Sequence, residues 1–79
     1  MAALSLVPPV IFKQALECLG WIVVDEGEFN WTVAKGGIPL TIPKQGKMVS
    51  RALLDGCLSD GILTPGDYFD AVKSTGYQF

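Results

Sequence analysis

Apolar residues follow two different periods along this chain, and the change of period divides it into helices and strands. Near the N-terminus they recur three or four positions apart, the spacing that places them on one face of an α-helix. Pro8 and Pro9 precede this pattern and Gly20 follows it, which predicts a first helix between these points. Its apolar positions are Ile11, Phe12, Ala15, Leu16 and Leu19.

The period then shortens to two, which indicates β-strands. The run from Trp21 to Val24 contains only aromatic and β-branched residues, so we expect a strand with both faces partly covered. Two further strands flank Gly36 and Gly37, which suit the positive φ angles of a tight hairpin. Pro39 cannot donate a ladder hydrogen bond, which predicts an edge position for the third strand. The side chains expected on the covered face are Phe29, Trp31, Val33, Ile38, Leu40 and Ile42.

Helical spacing returns in the C-terminal half and predicts two more helices. The apolar positions of the second are Val49, Ala52, Leu53, Cys57 and Leu58. Gly61 ends this helix, and the stretch "TPGD" begins the next. Thr64 is suited to cap the third helix, with Pro65 at its first position and Asp67 near its positive end. The inward positions expected for the third helix are Tyr68, Phe69 and Val72.

This order of elements, α-β-β-β-α-α, predicts one small α+β domain over residues 1–79. Helices on one face of a three-stranded antiparallel sheet would form a two-layer sandwich. The chain is 49% hydrophobic and 18% charged, which provides a core and argues against disorder. The helical residues expected to pack on the sheet are Leu16, Leu19, Leu53 and Cys57.

The absence of histidine removes much of the common enzymatic chemistry. Without it the chain cannot form Ser-His or Cys-His nucleophile pairs, and it lacks the commonest metal ligand. Cys18 and Cys57 belong to no CxxC pair, and we expect two buried, reduced thiols of a cytoplasmic protein. The start "MAALSLVPPV" lacks the charged region of a signal peptide, and no apolar run reaches the length of a membrane span. The sequence therefore predicts no catalysis, metal, cofactor or membrane association.

Several motifs resemble those of the HicA-type toxins, which are small mRNA interferases, and the order of elements is also that of double-stranded-RNA-binding domains. "LECLGW" precedes the first strand, Gly27 begins the second after an acidic turn, and "LTIP" is similar to the V-T-V-P of the toxins. The resemblance extends over roughly residues 12–69. In the toxins, a histidine that serves in RNA cleavage lies two residues after the turn glycine. Phe29 occupies that place here and cannot transfer a proton, so the resemblance implies a toxin-like fold without activity.

Lys44, Lys47 and Arg51 form the one local basic cluster in the sequence. They lie in the loop and first turn of the second helix, where the helix N-terminus favours a phosphate. In double-stranded-RNA-binding domains the equivalent lysines contact phosphates, as the resemblance implies. The simpler alternative is a solvated basic loop, since three charges give weak and salt-sensitive binding.

Acidic residues outnumber basic ones, and the net charge is −2. Asp25, Glu26 and Glu28 lie in one turn, while Asp67 and Asp70 belong to the third helix. Together they would present a negative surface to a basic protein partner, although a solvated surface is the commoner explanation. Glu26 and Glu28 are expected to be solvated without a charged partner, which argues against an acid–base pair.

The aromatic residues and the C-terminus leave alternatives open. Trp21, Phe29 and Trp31 would be able to stack on bases, but their alternation with polar residues fits a covered sheet face better. A tryptophan that the helices leave uncovered would instead anchor a protein partner. The tail "GYQF" would either pack on the sheet or serve in docking.

These observations favour a non-catalytic binding protein. The first interpretation is a small regulatory or inhibitory protein, of the kind that phages and mobile elements encode, whose acidic surface engages a larger protein. The alternative is a degenerate HicA-like RNA-binding module that uses Lys44, Lys47 and Arg51. An active ribonuclease with an unfamiliar catalytic set is a third interpretation, which the lack of histidine disfavours.

Overall fold

The computed structural model describes residues 4–78, in which three helices pack on one face of a three-stranded antiparallel sheet. The elements are α1 (Pro9–Cys18), β1 (Ile22–Glu26), β2 (Asn30–Lys35), β3 (Ile38–Pro43), α2 (Arg51–Ser59) and α3 (Pro65–Ser74). The strand order is β1-β2-β3, so β1 and β3 are the edge strands. The predicted α+β class, sheet and order of elements are confirmed.

The β2–β3 hairpin turns where the glycine pair predicts. Gly36 and Gly37 have φ angles of 59° and 81°, in the left-handed region that other residues rarely adopt. Pro39 lies on β3 opposite Ala34, at the edge of the sheet, as expected. The hairpin therefore follows from local backbone chemistry.

Helices α2 and α3 both begin at a side-chain cap. Ser50 accepts a hydrogen bond from the Leu53 N–H, so α2 begins at Arg51. Thr64 accepts one from the Asp67 N–H, which confirms the cap predicted for α3. Each cap satisfies a backbone donor that would otherwise lack a helical partner.

One hydrophobic core joins the helices to the covered face of the sheet. Phe12 of α1 and Tyr68 of α3 meet with their ring centroids 6.3 Å apart. The Tyr68 hydroxyl donates to the Ser5 carbonyl at 2.7 Å, which satisfies the polar end of a buried ring. The largest fully buried side chains are Tyr68, Phe12, Leu16, Ile42, Leu54, Val7, Val33, Val72 and Cys57.

Several burial predictions are wrong. The sheet is covered on one face only, which exposes Ile22 and Val24. Phe29 precedes β2, and Ile38 lies at the hairpin end of the covered face. Ile22 and Val24 are 66% and 60% exposed, so the first strand is not covered on both faces. Phe29 is 60% exposed in the turn before β2. Ile38 is 54% exposed, and it lines a shallow cavity of about 290 Å³ between the hairpin and the α2–α3 connection.

Two helices are rotated relative to the expected orientation. In α2, Leu54 is buried, Leu53 is half-buried and Ala52 is exposed. In α3, Phe69 is 46% exposed, while Tyr68 and Val72 are buried as predicted. Adjacent apolar residues differ by about 100° around a helix, and tertiary packing decides which of them faces inward.

The C-terminal tail lies against the core in part. Tyr77 is half-buried and packs against the core cluster. Phe79, which the sequence analysis included in a possible docking tail, lies outside the described residues. None of the helices within residues 4–78 is long and apolar enough to cross a membrane.

The two cysteines have opposite environments. Cys57 is buried as expected, and burial, helped by the negative charge of Asp60, raises its pKa to about 11. Cys18, at the end of α1, is exposed, so the prediction of a second buried thiol is wrong. Cys18 lies one turn after exposed Gln14, on the outward side of α1.

We predict that a thiol reagent at pH 8 will modify Cys18 rapidly and Cys57 only after unfolding, because the thiolate is the reactive form. Mass spectrometry of the native and the urea-unfolded protein would measure both rates. The Cys18→Ser variant serves as the control and should lose the rapid phase. Equal rates at both cysteines in the native protein would contradict the assignment.

Candidate binding surface at the sheet edge

The face of the sheet opposite the helices, called here the outer face, is open to solvent within the described residues. Val33 and Ile42 are buried on the covered face, so residues of the opposite parity lie on the outer face. It consists of a row formed by Ile22, Ala34 and Pro39 and a row formed by Asp25, Thr32 and Thr41. The outer face is therefore apolar at the end formed by Ile22, Ala34 and Pro39. At its other end it is acidic on the β1 side, where Asp25 lies.

The two edges of the sheet differ in their backbone chemistry. Along β3, Pro39 and Pro43 lack the N–H needed to pair with another strand. β1 contains no proline, so its outward N–H and C=O groups form an open edge. The register shifts between Val23 and Asp25, which places Val24 in a β-bulge.

Within the part of the chain that the structure describes, β2 is the sole strand paired with β1. The outward edge of β1 therefore combines unpaired backbone groups with exposed side chains. Strand edges of this kind are able to accept a further strand.

The acidic residues expected in one turn divide between two elements, because Asp25 and Glu26 end β1 and Glu28 lies in the turn after it; we keep the name acidic turn for these three residues. Asp25, Glu26 and Glu28 are all exposed, and the Gly27 N–H closes the turn by donating to the Asn30 carbonyl at 2.8 Å. Asp25 lies opposite Thr32 and therefore on the outer face, whereas Glu26 lies opposite Trp31 and on the covered side. Alternation along the strand thus sends neighbouring carboxylates to opposite faces.

Trp31 joins charged residues from separate elements into what we call the Trp31 cluster. The Lys13 and Lys44 ammonium groups lie 5.3 and 5.1 Å from the Trp31 ring centroid, within cation–π range. Lys44 Nζ donates to Glu26 Oε2 at 3.0 Å. Lys13 forms an ion pair with Glu17 at 3.3 Å along α1. Both lysines are therefore neutralised locally.

The environment of Glu26 favours its ionised form. The hydrogen bond and then the positive charge of Lys44 are the main causes that hold its pKa below the ordinary value of 4.5. Desolvation opposes the shift, and smaller contributions from the charge of Lys13 and the Trp31 side chain support it. The expectation that Glu26 lacks a charged partner is therefore wrong.

The three residues of the predicted basic cluster have different surroundings. Lys44 belongs to the Trp31 cluster. The Arg51 guanidinium donates to the Leu4 carbonyl at 2.7 Å. Lys47 is exposed in the loop before α2. Two of the three cations are thus engaged in contacts that hold the fold together.

The helical acidic residues lie apart from the acidic turn. Asp67 and Asp70 are exposed on α3, and α3 packs mainly against α1. Asp25 and Glu28 instead belong to β1 and the turn that follows it. Among residues 4–78, no three acidic, cysteine or histidine side chains are grouped so as to hold a metal ion. The outer face and the acidic turn together are therefore the candidate binding surface.

Sequence reasoning identified the acidic turn, Trp31 and Lys44 but not their connection. Glu26 and Lys44 are 18 positions apart, and strand pairing brings them together. Lys13 and Glu17 belong to α1, and no local pattern in the sequence connects them with Trp31. The open face had a signal in the sequence, because three short helices cannot cover both faces of a sheet.

Comparisons of the chain with protein-family models, curated proteins and solved structures found no match. The resemblance to HicA-type toxins therefore stays a prediction from the motifs. Phe29, at the place of the toxins' histidine, is exposed in the turn before β2.

We predict that Glu26→Gln lowers the free energy of unfolding at pH 7, because it removes the charged partner of Lys44. The pKa of Glu26 is depressed in the folded state, so its stabilisation is present above pH 4.5 and lost as the pH falls through the folded pKa. Urea unfolding at pH 7 and pH 3 would measure the difference.

The matched control for this experiment is Glu28→Gln, which changes an exposed carboxylate of the same turn. Its effect should be within about 0.5 kcal/mol at either pH, as for most surface substitutions. An effect of Glu26→Gln that is equal at pH 7 and pH 3 would contradict the role of the Lys44 contact.

Proposed function

We propose that this protein is a non-catalytic binding protein that engages a larger protein through the outer face of its sheet and the acidic turn. The observation that carries the proposal is the exposure of Ile22 and Val24 beside Asp25 on an open edge strand. Contiguous exposed apolar side chains mark interaction sites more strongly than single ones.

The chemistry of this surface defines the partner. Ile22 and Val24 would contribute affinity by losing contact with water. Asp25 and Glu28, unlike Glu26, have no ion pair among the described residues, so their charges are available to a partner's lysine or arginine. Complementary charges of this type select the partner and accelerate association.

The cellular setting belongs to the same proposal. Cys18 is a free, exposed thiol, which suits a reducing compartment such as the cytoplasm. A small domain with an apolar surface but no histidine acts most simply by binding to a larger protein and covering part of its surface. This supports a regulatory or inhibitory role of the kind that phages and mobile elements encode.

RNA binding is the second candidate function. It would depend on Lys47 and Arg51, since Lys44 is paired with Glu26. Arg51 donates to the neutral Leu4 carbonyl and keeps its charge. Two available cations provide little of the phosphate neutralisation on which such binding depends. The structure therefore supports protein binding more than RNA binding.

We predict that two variants will each reduce the recovery of a stoichiometric protein complex from native lysate by about tenfold. One is the double variant Ile22→Ser, Val24→Ser, and the other is Asp25→Lys. Quantitative mass spectrometry of affinity-captured material would measure recovery. Asp70→Lys is the matched control, because it makes the same charge change on α3. Unchanged recovery with both surface variants would contradict the proposal.

The same capture experiment tests the RNA alternative. RNA that elutes as salt rises and is lost with Lys47→Ala would favour the second candidate. Intact folding of each variant is checked by circular dichroism, and we expect it because the altered side chains are exposed.

A further inference from the structure

We infer that β1 binds its partner by strand addition. An extended segment of another protein, with basic residues followed by apolar ones, pairs antiparallel with the open edge of β1 and continues the sheet. This inference rests on the proposed function and specifies how the same surface makes its contact.

The contrast between the two edges identifies β1 as the acceptor. Pro39 and Pro43 remove two donors from β3, which prevents regular pairing along that strand. β1 retains its donors, and the outward groups of an edge strand point in the plane of the sheet, where an added strand would meet them. Main-chain hydrogen bonds would supply affinity for a segment of any suitable sequence.

The side chains of β1 determine which segment fits. Side chains directly opposite on paired strands lie roughly 5 Å apart, so each residue of β1 selects its neighbour on the added strand. Ile22 favours an apolar residue there. Asp25 favours lysine or arginine, and Glu28 in the adjoining turn adds a second negative charge. Glu26 is already bound to Lys44 and contributes less.

Charge also argues against a second copy of this chain as the added strand. A parallel pair of two β1 strands would bring Asp25 and Glu26 of both copies to the same end, where like charges across strands are destabilising. An antiparallel pair would place each acidic end opposite apolar residues of the other copy. The β-bulge at Val24 further restricts pairing, since bulges and charges are the devices by which edge strands avoid indiscriminate association. The edge is thereby selective for a basic segment.

The test uses a synthetic peptide of about eight residues, within the usual length of a strand, with two lysines followed by alternating valine and threonine, the order that places lysine opposite Asp25 in an antiparallel pair. Titration into ¹⁵N-labelled protein would report binding through amide chemical shifts. We expect the largest shifts at residues 22–26, with slowed hydrogen exchange in β1. A matched peptide with glutamate in place of lysine should bind about tenfold more weakly.

Backbone methylation isolates the strand-addition step. N-methyl groups on alternate residues remove either the N–H groups that face β1 or those that face away. One of the two methylated peptides should lose binding and the other should retain it. Asp25→Lys should reverse the preference between the lysine and glutamate peptides, while Asp70→Lys should not change it.

The outcomes separate this inference from the proposed function. If the lysine peptide does not shift the amides of β1, or if both methylated peptides bind as well as the parent, strand addition is overturned. The proposed function would still stand if Ile22→Ser, Val24→Ser disrupts the captured complex. If the double variant retains both the captured complex and peptide binding, the proposed function and strand addition are both overturned.

Discussion

The structure depends on one constraint, which is that a short chain covers only one face of its sheet. The three helices are 10, 9 and 10 residues long; α1 and α3 meet at the Phe12–Tyr68 contact, and α2 adds Leu54 and Cys57 to the same core. All of the apolar surface they bury is shared with Val33, Ile42 and their neighbours on that side. The outer face is left open as a direct consequence, and this is why apolar residues of β1 are exposed.

The Trp31 cluster lies at the boundary between the covered face and the outer face of the sheet. The half-buried indole ends the covered face, and lysines from α1 and from the segment after β3 lie against its ring. Through Lys44, the cluster also holds Glu26 and therefore the position of the acidic turn. The two neighbouring carboxylates therefore differ. Glu26 is bound to Lys44, whereas Asp25 lies on the outer face.

Local signals in the sequence were sufficient to predict the class of the fold and the order of its elements. The Gly36–Gly37 turn, the Thr64 cap and the two periodicities are properties of a few consecutive residues. The orientation of Leu53 and Phe69 was not predictable in this way, because tertiary packing decides which of two adjacent apolar residues is buried. The candidate surface was only half predictable, since its charges and the helices on one face of the sheet were expected, whereas β1 was expected to be partly covered on both faces and Ile22 and Val24 are exposed.

The exposed residues of β1 are not explained by the needs of the strand itself. Threonine has a β-propensity similar to that of valine and isoleucine, and it occupies the exposed position 41 on the opposite edge. Threonine at positions 22 and 24 would form the same strand with less risk of aggregation. Apolar side chains at both positions, next to carboxylates that limit self-pairing, are better explained by a partner that covers them. A surface that is apolar, open at its backbone edge and acidic at one end has the chemistry to recognise an extended basic segment.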